Sequence, residues 1–155
     1  MPAPNRDQDL FWMRRAIELA ARCPPAAGAY SVGAVIVGGD GTELATSYSR
    51  ETDPRGHAEE AALAKLPEGD PRLAGATIYS TLEPCSQRSA DRTPCAQRIL
   101  AARIPRVVIA WREPTLFVAD CVGVEQLVDA GVAVEELSEL ATDARAVNRH
   151  LLGDS

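Results

Sequence analysis

The sequence predicts an α/β protein, a three-layer α/β/α arrangement around a mixed sheet of roughly five strands. Three observations lead there. Apolar residues recur every three to four positions over 7–22, the period of an amphipathic helix. Two β-branched runs joined by Gly-Asp-Gly follow at 31–50 and read as a hairpin. Helical and strand-like stretches then alternate, a pattern that lays parallel strands between helical layers.

Each element has its own warrant. In "DQDLFWMRRAIELAAR" (7–22), Leu10, Met13, Ile17 and Ala20/Ala21 share a face, and "CPP" stops the helix because proline cannot continue it. The arginines of this stretch fall among the apolar positions at helical spacing and are read as a solvated face. "DPRG" breaks the chain at 53–56, and a helix is expected over 57–66. "ATIYSTLE" (76–83) reads as a strand, "CAQRILAAR" (95–103) as a helix and "RVVIAW" (106–111) as a short buried strand that places Trp111 in the core. "VEQLVDAG" (124–131) is a helix closed by Gly131, "VAVEEL" (132–137) a strand, and "SELATDARAVNRHLL" (138–152) a last helix with Ser138 as N-cap.

Bulk properties narrow the function. One domain spanning 1–155 is expected, because 155 residues bury roughly 70% of the unfolded surface in a single core. A formal charge of −6 with dispersed basic residues argues against a nucleic-acid polymer as partner. No apolar run reaches the ~18 residues of a membrane span, and the N-terminus has no signal-peptide pattern. A cytoplasmic location is therefore expected. Four cysteines, Cys23, Cys85, Cys95 and Cys121, are too few for a disulfide scaffold and point to metal binding, catalysis or burial. Cys23 and Cys121 are read as small buried hydrophobes, and His150 as a surface residue.

The chemistry concentrates in two stretches, "GHAEEAALAKL" (56–66) and "TLEPCSQRSADRTPC" (81–95). His57 opens a helix. Cys85 comes straight off a buried strand, and Cys95 opens the next helix, with Thr93 as its cap and Pro94 at the first helical position. A cysteine in a first helical turn feels free N–H groups and the positive end of the dipole, which favour the thiolate, the form that binds metal. One imidazole and two thiolates suit Zn²⁺ rather than Mg²⁺ or Ca²⁺. Three protein ligands leave a position for water, whose pKa falls from about 16 toward roughly 7 on the metal. Glu59, two residues after His57, is the carboxylate placed to carry a proton from that water to a leaving group.

H-x-E followed by P-C-x-x-C marks the zinc nucleobase deaminases. "HAE" matches in full, whereas nine residues separate Cys85 from Cys95. With that late second cysteine, the chain resembles the deaminase domain of the riboflavin-biosynthesis deaminase–reductase, within the cytidine deaminase-like superfamily. The likeness runs through "VGAVIV" (32–37), "HAE" (57–59), "TLEPC" (81–85), "RTPC" (92–95), "RVVIAWREP" (106–114) and "LVDAGVAV" (127–134). It implies the cytidine deaminase-like fold, zinc ligands His57, Cys85 and Cys95, and Glu59 as proton shuttle. It also implies that the Ala58 N–H and the carbonyl near Glu83 grip the substrate's polar edge, and that the protein forms a dimer or tetramer.

The chain departs from that family where substrate is chosen. "GAYS" (28–31) replaces a P-N-P segment, Gln87 and Arg88 replace insert histidines, and a reductase domain is not expected. Tyr30-Ser31 before V-G-A is similar to cytidine deaminases and puts Ser31 among the substrate contacts. Arg88 and Arg92 are candidate contacts to a substrate phosphate. The expected function is zinc-dependent release of ammonia from a small aminopyrimidine, of the riboflavin-pathway diaminopyrimidine or the cytidine/dCMP type. Two alternatives stand beside it. One is a purine deaminase acting on guanine or adenosine. The other is a non-catalytic zinc module whose fourth ligand is Cys23, Cys121 or His150, although such a module has no need of Glu59.

Overall fold

A computed structural model describes residues 5–23, 30–86, 92–112 and 122–149. Its elements run α1 (Arg6–Ala20), β1 (Gly33–Val37), β2 (Glu43–Tyr48), α2 (Ala58–Ala64), β3 (Thr77–Leu82), α3 (Cys95–Ala102), β4 (Arg106–Trp111), α4 (Gly123–Asp129), β5 (Ala133–Glu136) and α5 (Ala141–Ala146). The sheet has five strands in the order β2-β1-β3-β4-β5. β1 pairs antiparallel with both β2 and β3, whereas β3, β4 and β5 run parallel, so the expected mixed sheet is borne out. Helices α1 and α5 pack on one face and α2 on the other, completing three layers.

Burial follows position in the sheet. Every residue of β1 and β3 is buried, as is β4 beyond Arg106, because helices cover these strands on both sides. β2 shows the alternation of an edge strand, and β5 carries Glu135 and Glu136 on an exposed edge, where charge discourages further pairing. The hairpin turn needs the positive φ of +86° at Gly41, where glycine carries no steric penalty.

Helix α1 lies almost on the sheet. A Cβ added at Gly33 would stand 1.8 Å from the Ala16 carbonyl oxygen, so only glycine permits this approach. Asn5 caps α1 in a reciprocal box with Gln8, whose side chain returns to the Asn5 N–H. Asp9 is buried, with only 4% exposed, in a helix whose apolar stripe gave no hint of it. Its carboxylate takes two hydrogen bonds from Arg106 at 2.9 and 2.6 Å and one from the Tyr79 hydroxyl at 2.7 Å. That triad ties α1 to β3 and β4.

Several expected boundaries move. α1 stops at Ala20, and the next turn is tight, with Arg22 bonding Leu19 and Cys23 bonding Ala20. α2 ends at Ala64, with Lys65 as C-cap. Pro94, not Thr93, is the N-cap of α3, and Cys95 rather than Pro94 is its first residue. Extended backbone at Pro94, with ψ of 150°, keeps it outside the helix. The last helix is also corrected. Ser138 starts a 3₁₀ turn, Ser138–Leu140, and caps nothing with its side chain. Leu137 bonds the Ile109 carbonyl and Leu140 bonds back to Leu137, so burying these two leucines against β4 tightens the chain before α5 begins. Gly131 does close α4, with φ of +93°.

Among the described residues, no helix is long and apolar enough to cross a membrane. Cys23 is buried, and its thiol donates to the Val32 carbonyl at 3.7 Å. Burial raises its pKa, with Arg50 opposing the shift. Cys121 and His150 lie outside the described residues.

Candidate metal centre

Three elements end at the same place. β3 runs out at Leu82 into Glu83-Pro84-Cys85, α2 begins after a turn that Gly56 closes on Asp53, and α3 begins at Cys95. His57 occupies the N-cap of α2, which turns its ring out of the helix. The Cys95 N–H donates to the Cys85 sulfur at 3.2 Å, and the Ala96 N–H donates to the Cys85 carbonyl at 3.0 Å. The α3 N-terminus thus closes around the Cys85 segment.

The ligand atoms converge. His57 Nδ1 lies 3.5 Å from Cys85 Sγ and 3.4 Å from Cys95 Sγ. All three atoms fall within 4.8 Å of one another. A tetrahedral zinc with Zn–S of about 2.3 Å and Zn–N of about 2.05 Å separates S from N by roughly 3.6 Å, so this donor set fits the ion. Among the described residues the cluster comprises these three, and Cys23 is not part of it. The Cys85 thiol is held well below its ordinary pKa, first by hydrogen bonding with Cys95 and then by the His57 ring, against the opposing effect of burial. Glu59, in the first turn of α2, is buried. Ala58 is the first residue of α2, so its N–H belongs to the end groups that a helix leaves unpaired internally.

Sequence reading missed what holds the metal strand in place. The Glu83 N–H donates to the Trp111 carbonyl at 3.0 Å, while its carboxylate accepts from the Val124 N–H at 2.9 Å. Ser86 Oγ accepts from the Val122 N–H at 3.0 Å. A Cβ at Gly123 would stand 1.9 Å from the Pro84 carbonyl oxygen, so α4 starts directly against the metal strand. Glycine one residue before a helical run was the available signal.

Ser31 is buried at the end of β1, where Asn148 and Arg50 hold it. Tyr30 packs edge-on against Trp111 at 5.8 Å, and Arg145 lies over the same indole at 5.3 Å. Arg92 forms ion pairs with Asp53 and Glu60. Arg88 lies outside the described residues.

A family model for the cytidine and deoxycytidylate deaminase zinc-binding region matches residues 6–111. The chain belongs to this family. Membership bears out the expected zinc and the cytidine deaminase-like fold. The domain is 41% identical, over 127 residues, to the diaminohydroxyphosphoribosylamino-pyrimidine deaminase of Schizosaccharomyces pombe, covering 81% of this chain and 31% of that protein. It is 36% identical to the riboflavin biosynthesis protein RibD of Escherichia coli, covering 94% of this chain and 38% of that one. The chain thus spans about a third of the length of these curated relatives. Among solved structures, Acinetobacter baumannii RibD superposes with a TM-score of 0.78 at 34% identity, over 92% of this chain and 38% of that chain. The Rib2 deaminase of Aspergillus oryzae also gives 0.78, at 26% identity, over 90% of this chain and 89% of that one.

Proposed function

We propose that this domain hydrolyses the exocyclic amine of a ribose-phosphate-bearing diaminopyrimidine, the substrate class named for its riboflavin-pathway relatives, and releases ammonia. The convergence of one imidazole and two sulfurs beside a buried Glu59 carries the reading. In it, His57, Cys85 and Cys95 hold the zinc. Bound there, the metal supplies a hydroxide nucleophile at neutral pH.

The chain's own groups do the rest. Glu59 passes one proton of the attacking water to the ring nitrogen next to the amine-bearing carbon and the second to the amine; the C–N bond breaks, ammonia leaves, and the ring carbon keeps the oxygen as a carbonyl. The Ala58 N–H and the carbonyl near Glu83 hold the polar edge of the ring, and Ser31 contributes from the end of β1. Arg88 and Arg92 receive the phosphate, Arg92 sharing its guanidinium with Asp53 and Glu60. Residues 1–155 act as one deaminase domain in the cytoplasm, assembled as a homo-oligomer, with a small molecule and no nucleic-acid polymer as partner.

An ammonia-release screen over cytosine, cytidine, CMP, dCMP, guanine, adenine and the riboflavin-pathway pyrimidine tests the reading. The last should give the highest kcat/KM. Preference for guanine or adenine would transfer the domain to the purine deaminases. Bound zinc with no ammonia from any of them would leave a structural module.

A further inference from the structure

Glu60 stands beside the proton shuttle in sequence but turns to a different task. Its Oε1 accepts from the His57 backbone N–H at 3.3 Å and pairs with Arg92 Nη1 at 3.3 Å. Its Oε2 pairs with Arg98 Nη2 at 2.9 Å. Arg98 also donates through Nε to the Thr93 carbonyl at 3.1 Å, two residues ahead of Cys95. Arg92 reaches on to Asp53, whose carboxylate accepts from the Arg55 N–H and whose carbonyl accepts from the Gly56 N–H, immediately before His57. A continuous path therefore runs from the His57 backbone through Glu60 and Arg98 to the segment entering Cys95.

We infer that Glu60 and Arg98 are positioning residues that set the separation of the α2 and α3 first turns, and so the spacing of His57 from Cys95. The path is short, charged at every side-chain link and only partly open to water, with 18% of the Glu60 side chain exposed. Charge-assisted hydrogen bonds of this kind hold direction as well as distance. Neither residue donates to the metal itself. Groups that orient a ligand from outside alter metal affinity by about 10- to 100-fold when removed. The inference rests on the proposed ligand set.

Zinc affinity provides the test, without reference to turnover. Glu60→Gln, Arg98→Gln and the double variant are titrated with a competing chelator, and the melting of each metal-free protein is recorded. Each single substitution should raise the zinc Kd at least about tenfold. The double variant should be no more than about threefold weaker than the worse single, because both changes cut one path. Metal-free protein should still melt cooperatively. A smaller loss in either single variant, additive losses in the double, or loss of cooperative melting would overturn the inference while leaving the metal site standing. Failure of the unsubstituted protein to bind zinc would overturn the ligand reading with it.

Discussion

Asn148 clasps the backbone of Ser31 with both ends of its amide. Its Oδ1 accepts from the Ser31 N–H at 2.6 Å, and its Nδ2 donates to the Ser31 carbonyl at 3.0 Å and the Ala144 carbonyl at 3.4 Å. Residues 117 positions apart are thereby joined across the α1–α5 face of the sheet, and Asn148 is only 1% exposed. Asn148→Ala strands a buried N–H and a buried carbonyl, at a cost of about 1–3 kcal/mol. Urea unfolding should register that loss. Zinc content should stay at the unsubstituted level, because Asn148 touches no member of the metal cluster.

Glu59→Ala separates chemistry from metal binding. Zinc content should match the unsubstituted protein, while kcat for ammonia release should fall by about 10²–10⁴. Cys95→Ser should instead lose zinc and activity together, as should prolonged chelation, and added Zn²⁺ should restore only the chelated sample. Metal analysis beside an ammonia assay reads all three cases.

The buried Tyr79–Asp9–Arg106 triad predicts alkaline instability. Burial and the Asp9 carboxylate raise the Tyr79 pKa above its ordinary 10.0, with Arg106 opposing. Folded protein therefore keeps the phenol protonated where unfolded chain ionises it. The contribution is complete below the unfolded value and declines as pH rises past it. The urea midpoint should drop between about pH 9 and 11, and Tyr79→Phe should flatten that drop while lowering stability at neutral pH by about 1–3 kcal/mol. An equally steep drop in the Phe variant would point to another group.

Gly33→Ala places a methyl 1.8 Å from the Ala16 carbonyl oxygen, a contact that backbone on both sides must relieve. Forced overpacking costs about 1–3 kcal/mol, and more where backbone is the obstacle. The variant should melt well below the parent. Gly41→Ala meets nothing within 4 Å, so only its positive φ resists, and its loss should be the smaller.

The metal cluster was legible because its signal is local. A histidine at a helix start, a proline-cysteine after a buried strand and a second at a helix start each sit where backbone geometry fixes their direction. β1 and β4 were legible for the same reason, as nearly unbroken apolar runs, and β3 as a run rich in β-branched and aromatic residues. Asp9 was not, since a carboxylate in an amphipathic helix reads as solvent-facing until Arg106, far along the chain, arrives beside it. Asn148 and the Glu83 side chain escaped likewise. Ser138 misled because a serine before a helical period is a sound cap signal, overridden here by the burial of Leu137 and Leu140.

Glu83 bonds the carbonyl of Trp111 on one side and the N–H of Val124 on the other, while Ser86 bonds Val122. The stretch between Trp111 and Val122 therefore leaves from, and returns to, the same four-residue ledge that carries Cys85. A shift of β4 relative to α4 would therefore be felt at the Cys85 sulfur, because both elements bond the residues on either side of it.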